Sequence, residues 1–221
     1  LDQYPRDAEG DFNRAQAAGA DLVWLAQHGD IYPPNWLTTI VPQGVGLGLE
    51  TDHRPHFFTG VATVVARLLS LVRPQVAVFG EKDYQQLLVV RQLNEDLRLG
   101  VDIVAGSLIR DDDGLALSSR NVYLDAEARE QARCVPRALQ AMCDGYAQGE
   151  RHASALEALG AAVLTRAGLT IDYCRIVTST NLRAPLESLD DSGPTWRALI
   201  AARCQGIRLI DNCALDDPPW R

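Results

Sequence analysis

The 221 residues carry 21 Lys and Arg against 29 Asp and Glu, a formal net charge of -8, and 47% of them are hydrophobic. That composition supports one sizeable core or two modest ones, and its acidic balance repels a polyphosphate backbone, which argues against nucleic acid as a partner. The best apolar run, residues 61–72, falls short of the roughly 18 residues a membrane span requires and is interrupted by Arg67, so no membrane partner is expected.

The chain opens Leu1-Asp2-Gln3-Tyr4-Pro5-Arg6, without an initiator Met or the regions of a signal peptide, and reads as a cut end. Residues 7–18 suit a short helix, 21–25 a buried strand and 31–35 a proline-rich turn. Gly44, Gly46 and Gly48 give G-x-G-x-G rather than the dinucleotide fingerprint G-x-G-x-x-G, and no strand-turn-helix pattern frames them. A flexible loop is the better account.

Val61, Val64, Val65, Leu68, Leu69 and Val72 share one face of a helix that Pro74 stops. Residues 76–79 form a short apolar run ending at Gly80, a helical spacing through Leu87, Val90, Leu93 and Leu97 follows, and 101–105 reads as another strand. Strand, helix and strand at this spacing make a βαβ unit with a parallel sheet, whose ligands bind at the carboxyl ends of the strands.

After Ile109 the character changes to a polar turn, Arg110-Asp111-Asp112-Asp113-Gly114, followed by a segment of small polar residues up to Asn121. The domain boundary falls here, with residues 1–109 as an α/β domain and 110–221 as a smaller α+β domain. Asp125 caps a helix reaching to about residue 147, in which Pro136 predicts a kink or break. A helix over 154–167, a strand over 171–177, and strands over 196–203 and 207–210 joined at Gln205-Gly206 complete the chain. The five cysteines, at 134, 143, 174, 204 and 213, show no C-x-x-C pair or zinc-ligand spacing and read as reduced, mostly buried thiols of a cytoplasmic protein. The four histidines form no H-E-x-x-H arrangement, and Asp111-Asp112-Asp113-Gly114 lacks the alternation of a calcium loop.

Two segments suit anions. Gly80-Glu81-Lys82-Asp83 joins a strand to a helix, where unpaired N–H groups and the positive end of the helix dipole meet a lysine. Leu117-Ser118-Ser119-Arg120-Asn121 offers hydroxyls and a guanidinium that can hold phosphate oxygens. Each alone reads more simply as a solvated turn or polar loop. Two such anion-ready loops on opposite sides of a domain boundary are less easily dismissed.

In this order, Tyr4-Pro5-Arg6, Arg54-Pro55 with Phe58-Thr59-Gly60-Val61, Gly80-Glu81-Lys82-Asp83-Tyr84-Gln85-Gln86, Asp113-Gly114-Leu115-Ala116-Leu117-Ser118-Ser119-Arg120-Asn121 and Leu209-Ile210-Asp211-Asn212 resemble successive blocks of the pantothenate synthetase family. The resemblance implies a Rossmann-like parallel-sheet nucleotidyltransferase domain, its N-terminal part missing, with a smaller α+β C-terminal domain closing over ATP, usually in a cytoplasmic homodimer. It implies an ATP- and Mg2+-dependent ligase that activates pantoate as an adenylate and passes it to β-alanine. Gly80, Glu81, Lys82 and Asp83 then match the ATP-binding turn, Gln86 a pantoate ligand and Ile109 the residue whose backbone meets adenine. Leu117, Ser118, Ser119 and Arg120 match the mobile loop, and Lys82, Ser118, Ser119 and Arg120 carry the catalytic charge stabilisation.

There are departures from the family pattern. Its M-G-A-L-H-x-G-H and N-P-x-Q-F blocks are absent from these residues, which implies that the chain by itself makes no detectable pantothenate and raises the alternative of a non-catalytic fragment. A different adenylyl transferase fits Gln86 and Leu209-Ile210-Asp211-Asn212 poorly. In the family's histidine slot stands Phe57, with His56 one place earlier, and helical geometry turns adjacent residues about 100° apart. Phe57 is expected to face the site and His56 to face away.

Overall fold

A computed structural model of the protein describes residues 7–186, 188–190, 193 and 195–219, and the Tyr4-Pro5-Arg6 block lies outside them. The chain forms two compact units, Leu1–Thr38 and Thr39–Arg221.

In the first unit, helix α1 (Ala8–Ala17) begins where Asp7 accepts the Gly10 N–H at 2.9 Å, with Glu9 and Asp11 favouring the positive end of its dipole. A one-turn helix α2 (His28–Ile31) follows, its start fixed by the Asp30 carboxylate accepting the Gln27 N–H at 2.8 Å. The buried strand expected at 21–25 is absent: Leu22 is 85% and Leu25 58% exposed. A strand needs a neighbour for its backbone groups, and no strand among the described residues pairs with this segment.

The second unit opens with a 3-10 turn at Gly44–Gly46 and the short helix α3 (Glu50–His53). The glycine-rich stretch, expected to be flexible, is fastened from outside. Buried Gln85 donates from Nε2 to the Val45 and Gly48 carbonyls at 2.9 and 3.3 Å, and its Oε1 accepts the Glu50 N–H at 3.2 Å. Helix α4 (Phe57–Val72) ends at Arg73 in the left-handed region, just before Pro74. Its buried face runs through Phe58, Ala62, Val65, Ala66 and Leu69, whereas Val72 of the expected stripe is exposed. Counting only large residues misplaced the face, because Ala62 and Ala66 sit in the core too.

Strand β1 (Val76–Gly80), helix α5 (Tyr84–Asp96) and strand β2 (Asp102–Gly106) form the expected βαβ unit, with Val76 through Gly80 pairing in parallel with Asp102 through Gly106. The first strand is buried on one side only. Ala77 and Phe79 join the core with Ile103 and Ala105, while Val76, Val78 and Val104 stand exposed on the other face. Next come α6 (Ala126–Ala132), α7 (Cys134–Ala147) and α8 (Ala153–Arg166), then an antiparallel sheet of β3 (Thr170–Thr178), β4 (Trp196–Cys204) and β5 (Ile207–Ala214) in that order. Asp125 accepts the Ala128 N–H at 2.8 Å, and the helix expected to reach residue 147 divides at Arg133. The division leaves Pro136 in the first turn of α7, where its missing N–H forfeits no helical bond. The β4–β5 turn at Gln205-Gly206 has positive φ at both residues, as a tight hairpin requires.

Two cores result. One gathers Phe58, Leu87, Val90 and Ile103 of α4, α5 and the parallel pair, joined by Val177 and Leu199 of the antiparallel sheet. The other gathers Leu115, Leu139, Met142, Leu156, Ile176 and Ile200. The five cysteines are free thiols, four of them buried. No helix among the described residues is long and apolar enough to cross a membrane.

Candidate active site

The strand-to-helix turn is a 3-10 turn, Glu81–Asp83, that feeds directly into α5. Lys82 emerges from it half-buried, its Nζ 3.9 Å from the Asp83 carboxylate. Lys82, Asp83 and Gln86 line a cleft together with Glu50, Phe57, Tyr173, Asp211 and Asn212. Lys82, Ile210 and Asp211 also line a second recess, whose other walls include Ser118, Arg120, Asn121 and Arg208. Lys82 therefore stands where a strand-end cleft meets the loop at 118–120.

Ser119, Gly80, Glu81, Ile109 and Leu117 line neither recess. Ser119 begins the 3-10 turn Ser119–Tyr123, which Ser118 caps by accepting the Arg120 N–H at 3.2 Å. Ile109 and Leu117 are exposed and joined by the Leu117 N–H donating to the Ile109 carbonyl at 2.9 Å. Phe57 faces the cleft beneath the Arg54 guanidinium, 3.6 Å from its ring centroid, while exposed His56 caps α4 with φ 68°. Phe57 thus lines the cleft and His56 does not.

Sequence reasoning missed the ion pairs that build the walls. Glu50 receives both terminal nitrogens of Arg208 at 2.8 Å and the Tyr173 hydroxyl at 2.8 Å, and Arg208 Nε reaches Asp172 at 2.7 Å. Burial pushes the Glu50 carboxyl up, but Arg208, Tyr173 and Arg54 outweigh it and hold the group below its ordinary value. Burial and Glu50 together push the Tyr173 hydroxyl up, so it remains a donor. Fully buried Asp211 accepts both terminal nitrogens of Arg110, at 2.7 and 3.0 Å. Burial raises its carboxyl, with Arg110, the Asn212 N–H and Lys82 pulling against that rise. Asp211 and Asn212 were visible as motif residues without a role; nothing in the sequence pairs Glu50 with Arg208.

Asn212 explains its motif. Its Nδ2 donates to the carbonyls of Glu81 and Lys82, both at 3.0 Å, fastening the anion turn to strand β5. No group of three or more His, Cys, Asp or Glu side chains suited to a metal occurs among the described residues. The site offers cations from two elements at one junction and an adjacent carboxylate, Asp83.

A parallel βαβ unit presenting a lysine at its strand end, faced by a serine-arginine loop from a second core, defines an α/β enzyme of the nucleotidyltransferase-like class with a C-terminal domain. The family profile described as pantoate-beta-alanine ligase matches residues 1–214. A pantothenate synthetase of Bradyrhizobium sp. (strain BTAi1 / ATCC BAA-1182) is 47% identical over 96% of this chain and 74% of its own length, and one of Myxococcus xanthus 44% identical over 97% and 73%. The crystal structure of the Thermus thermophilus pantothenate synthetase superposes with a TM-score of 0.90 at 42% identity, covering 96% of this chain and 76% of that one. A Francisella tularensis ligase, crystallised with beta-gamma ATP and beta-alanine, superposes with a TM-score of 0.78 at 28% identity, over 98% and 73%. The chain belongs to the pantoate-β-alanine ligase family, the ligases of pantothenate biosynthesis.

Proposed function

We propose that the protein joins pantoate to β-alanine through a pantoyl adenylate, with ATP as the activating substrate. In the first step a pantoate carboxylate oxygen attacks the α-phosphorus, the bond to the β-phosphate's bridging oxygen breaks, and pyrophosphate leaves with the electron pair. In the second the β-alanine amine attacks the acyl carbon, loses a proton, and AMP departs. Neither step needs a protein nucleophile; both need substrates held in line and developing charge neutralised. The observation carrying this reading is the junction at Lys82, shared by the cleft containing Gln86 and the recess containing Ser118 and Arg120.

In this assignment Gly80, Glu81, Lys82 and Asp83 form the ATP turn, with the Ile109 backbone meeting the adenine and Leu117 opening the mobile loop. Lys82, Ser118, Ser119 and Arg120 stabilise the departing pyrophosphate, the loop residues by closing onto it, and Gln86 hydrogen-bonds pantoate. Mg2+ would enter with ATP, and Asp83 would stand as the nearby carboxylate beside Lys82. In this proposal residues 1–109 hold ATP and pantoate and residues 110–221 supply the lid. A cytoplasmic homodimer completes the proposal.

A second reading, nucleotide binding or subunit association without turnover, is favoured by one feature: among the described residues no histidine lines either recess. Pyrophosphate release from ATP, measured with and without pantoate in the absence of β-alanine, separates the two. Pantoate-dependent release supports the ligase reading. ATP binding without it establishes the second.

A further inference from the structure

Strand β5 holds both halves of the site with consecutive side chains. Asp211 receives Arg110, at the foot of the hairpin that leads into residues 117–121, and Asn212 holds the carbonyls of Glu81 and Lys82. An Asn amide can do the latter in only one of its two orientations. Turned over, it would aim Oδ1 at two carbonyl oxygens, acceptor against acceptors.

The orientation is selected by Arg197 on β4. Its Nη1 donates to Asn212 Oδ1, and a guanidinium has donors only, so it can meet the oxygen and never the NH2. The same guanidinium lies 3.9 Å over the ring of Tyr84, the first residue of α5, whose hydroxyl donates to the Ser179 carbonyl at 2.8 Å. Arg197 Nε is buried without a hydrogen-bond partner, so the side chain gives up one donor's partner while making these two contacts. It lines neither recess.

We propose that Arg197 is a positioning residue for the phosphate site: by fixing the Asn212 amide and the Tyr84 ring it sets the Glu81–Asp83 turn, and with it the direction in which Lys82 points. The inference rests on the ligase reading for its catalytic consequence. Its structural consequence is independent.

Three variants test it: Arg197→Met, which keeps an apolar stem but no donor; Arg197→Lys, which keeps a donor-only head; and Asn212→Ala. In pantoate-dependent pyrophosphate release, Arg197→Met is expected to lower kcat by about 10- to 100-fold, the scale on which small misplacements act, with KM for pantoate within about twofold. Arg197→Lys should recover most of the loss, and Arg197→Met combined with Asn212→Ala should lose little more than the worse single variant. Unchanged kcat, a loss confined to KM, or losses that multiply in the double variant overturn the proposal. Amide hydrogen exchange supplies the reading that needs no activity. Amides of residues 83–87 should exchange at least about tenfold faster in Arg197→Met while β3–β5 stay protected, and unchanged protection there also overturns it. If Arg197→Met does not fold, Asn212→Ala carries the same exchange comparison, with Arg197→Lys expected to match wild type. Wild-type protein that releases no pyrophosphate would count against the ligase reading alone, leaving the exchange result to judge the clamp.

Discussion

Lys82 and Gln86 sit one helical turn apart and line one cleft, and in the proposed ligase they act at different moments. The ammonium of Lys82 gains most when charge develops on the departing pyrophosphate, so Lys82→Ala should lower adenylate formation by on the order of 10²- to 10³-fold in single-turnover measurements. In the same proposal Gln86 hydrogen-bonds pantoate already in the ground state. Gln86→Ala should therefore raise KM for pantoate with kcat largely kept. An unchanged single-turnover rate in Lys82→Ala would reduce the turn to a structural element. Phe57 and His56 form a second contrast. Phe57 lies under Arg54 at the cleft wall, whereas His56 is exposed at a helix cap. Phe57→His should preserve or improve use of β-alanine and His56→Ala should be nearly silent; steady-state kinetics varying β-alanine decide it, and the reverse pattern sinks the assignment.

Elements were legible where local rules decide them. The βαβ unit, the cap at Asp125 and the hairpin at Gln205-Gly206 follow from patterns a few residues long. Asp125→Ala removes the acceptor of the Ala128 N–H and should cost about 1 kcal/mol, seen as a fall in Tm of roughly 2–4 °C with the far-ultraviolet spectrum retained. A Tm that does not move would show that α6 draws its stability from packing alone. Elements were illegible where a distant partner decides. Residues 21–25 have a strand's composition and no paired neighbour among the described residues, and the loop at 44–48 is held by Gln85 from another helix. The face of α4 was misjudged for a related reason, since an alanine's burial depends on what packs over it.

At the scale of the molecule, the first core meets the antiparallel sheet through buried Val177 and Leu199 and through an ionic network that binds residues far apart in sequence, which is why the network left no trace in the sequence pattern. Glu50 of the segment before α4 meets Arg208 of β5, and Arg208 in turn meets Asp172 of β3. Asp172 also accepts from Arg203. Burial raises the Glu50 and Asp172 carboxyls, but their arginine partners prevail and both lie below their ordinary values; Asp113, held by Arg129, does likewise. A carboxyl depressed by folding contributes stability that is fully present above its unfolded value, here 4.5 for Glu50 and 3.8 for the aspartates, and is lost as pH falls through the lower folded value. Asp211 has the opposite sign. Its raised value means it weakens the fold at neutral pH and relieves that cost as it protonates, against four lowered carboxyls, Glu150 beside His152 being the fourth. The urea midpoint is therefore expected to stay flat from pH 7 to about 5 and to fall steadily below that. Glu50→Gln should remove part of this dependence while destabilising the protein at pH 7 by about 3 kcal/mol, because Arg208 is left half-paired in a buried site. A variant as stable as wild type at pH 7, or one with an undiminished acid slope, would mean that the Glu50 network does not hold the sheet to the first core.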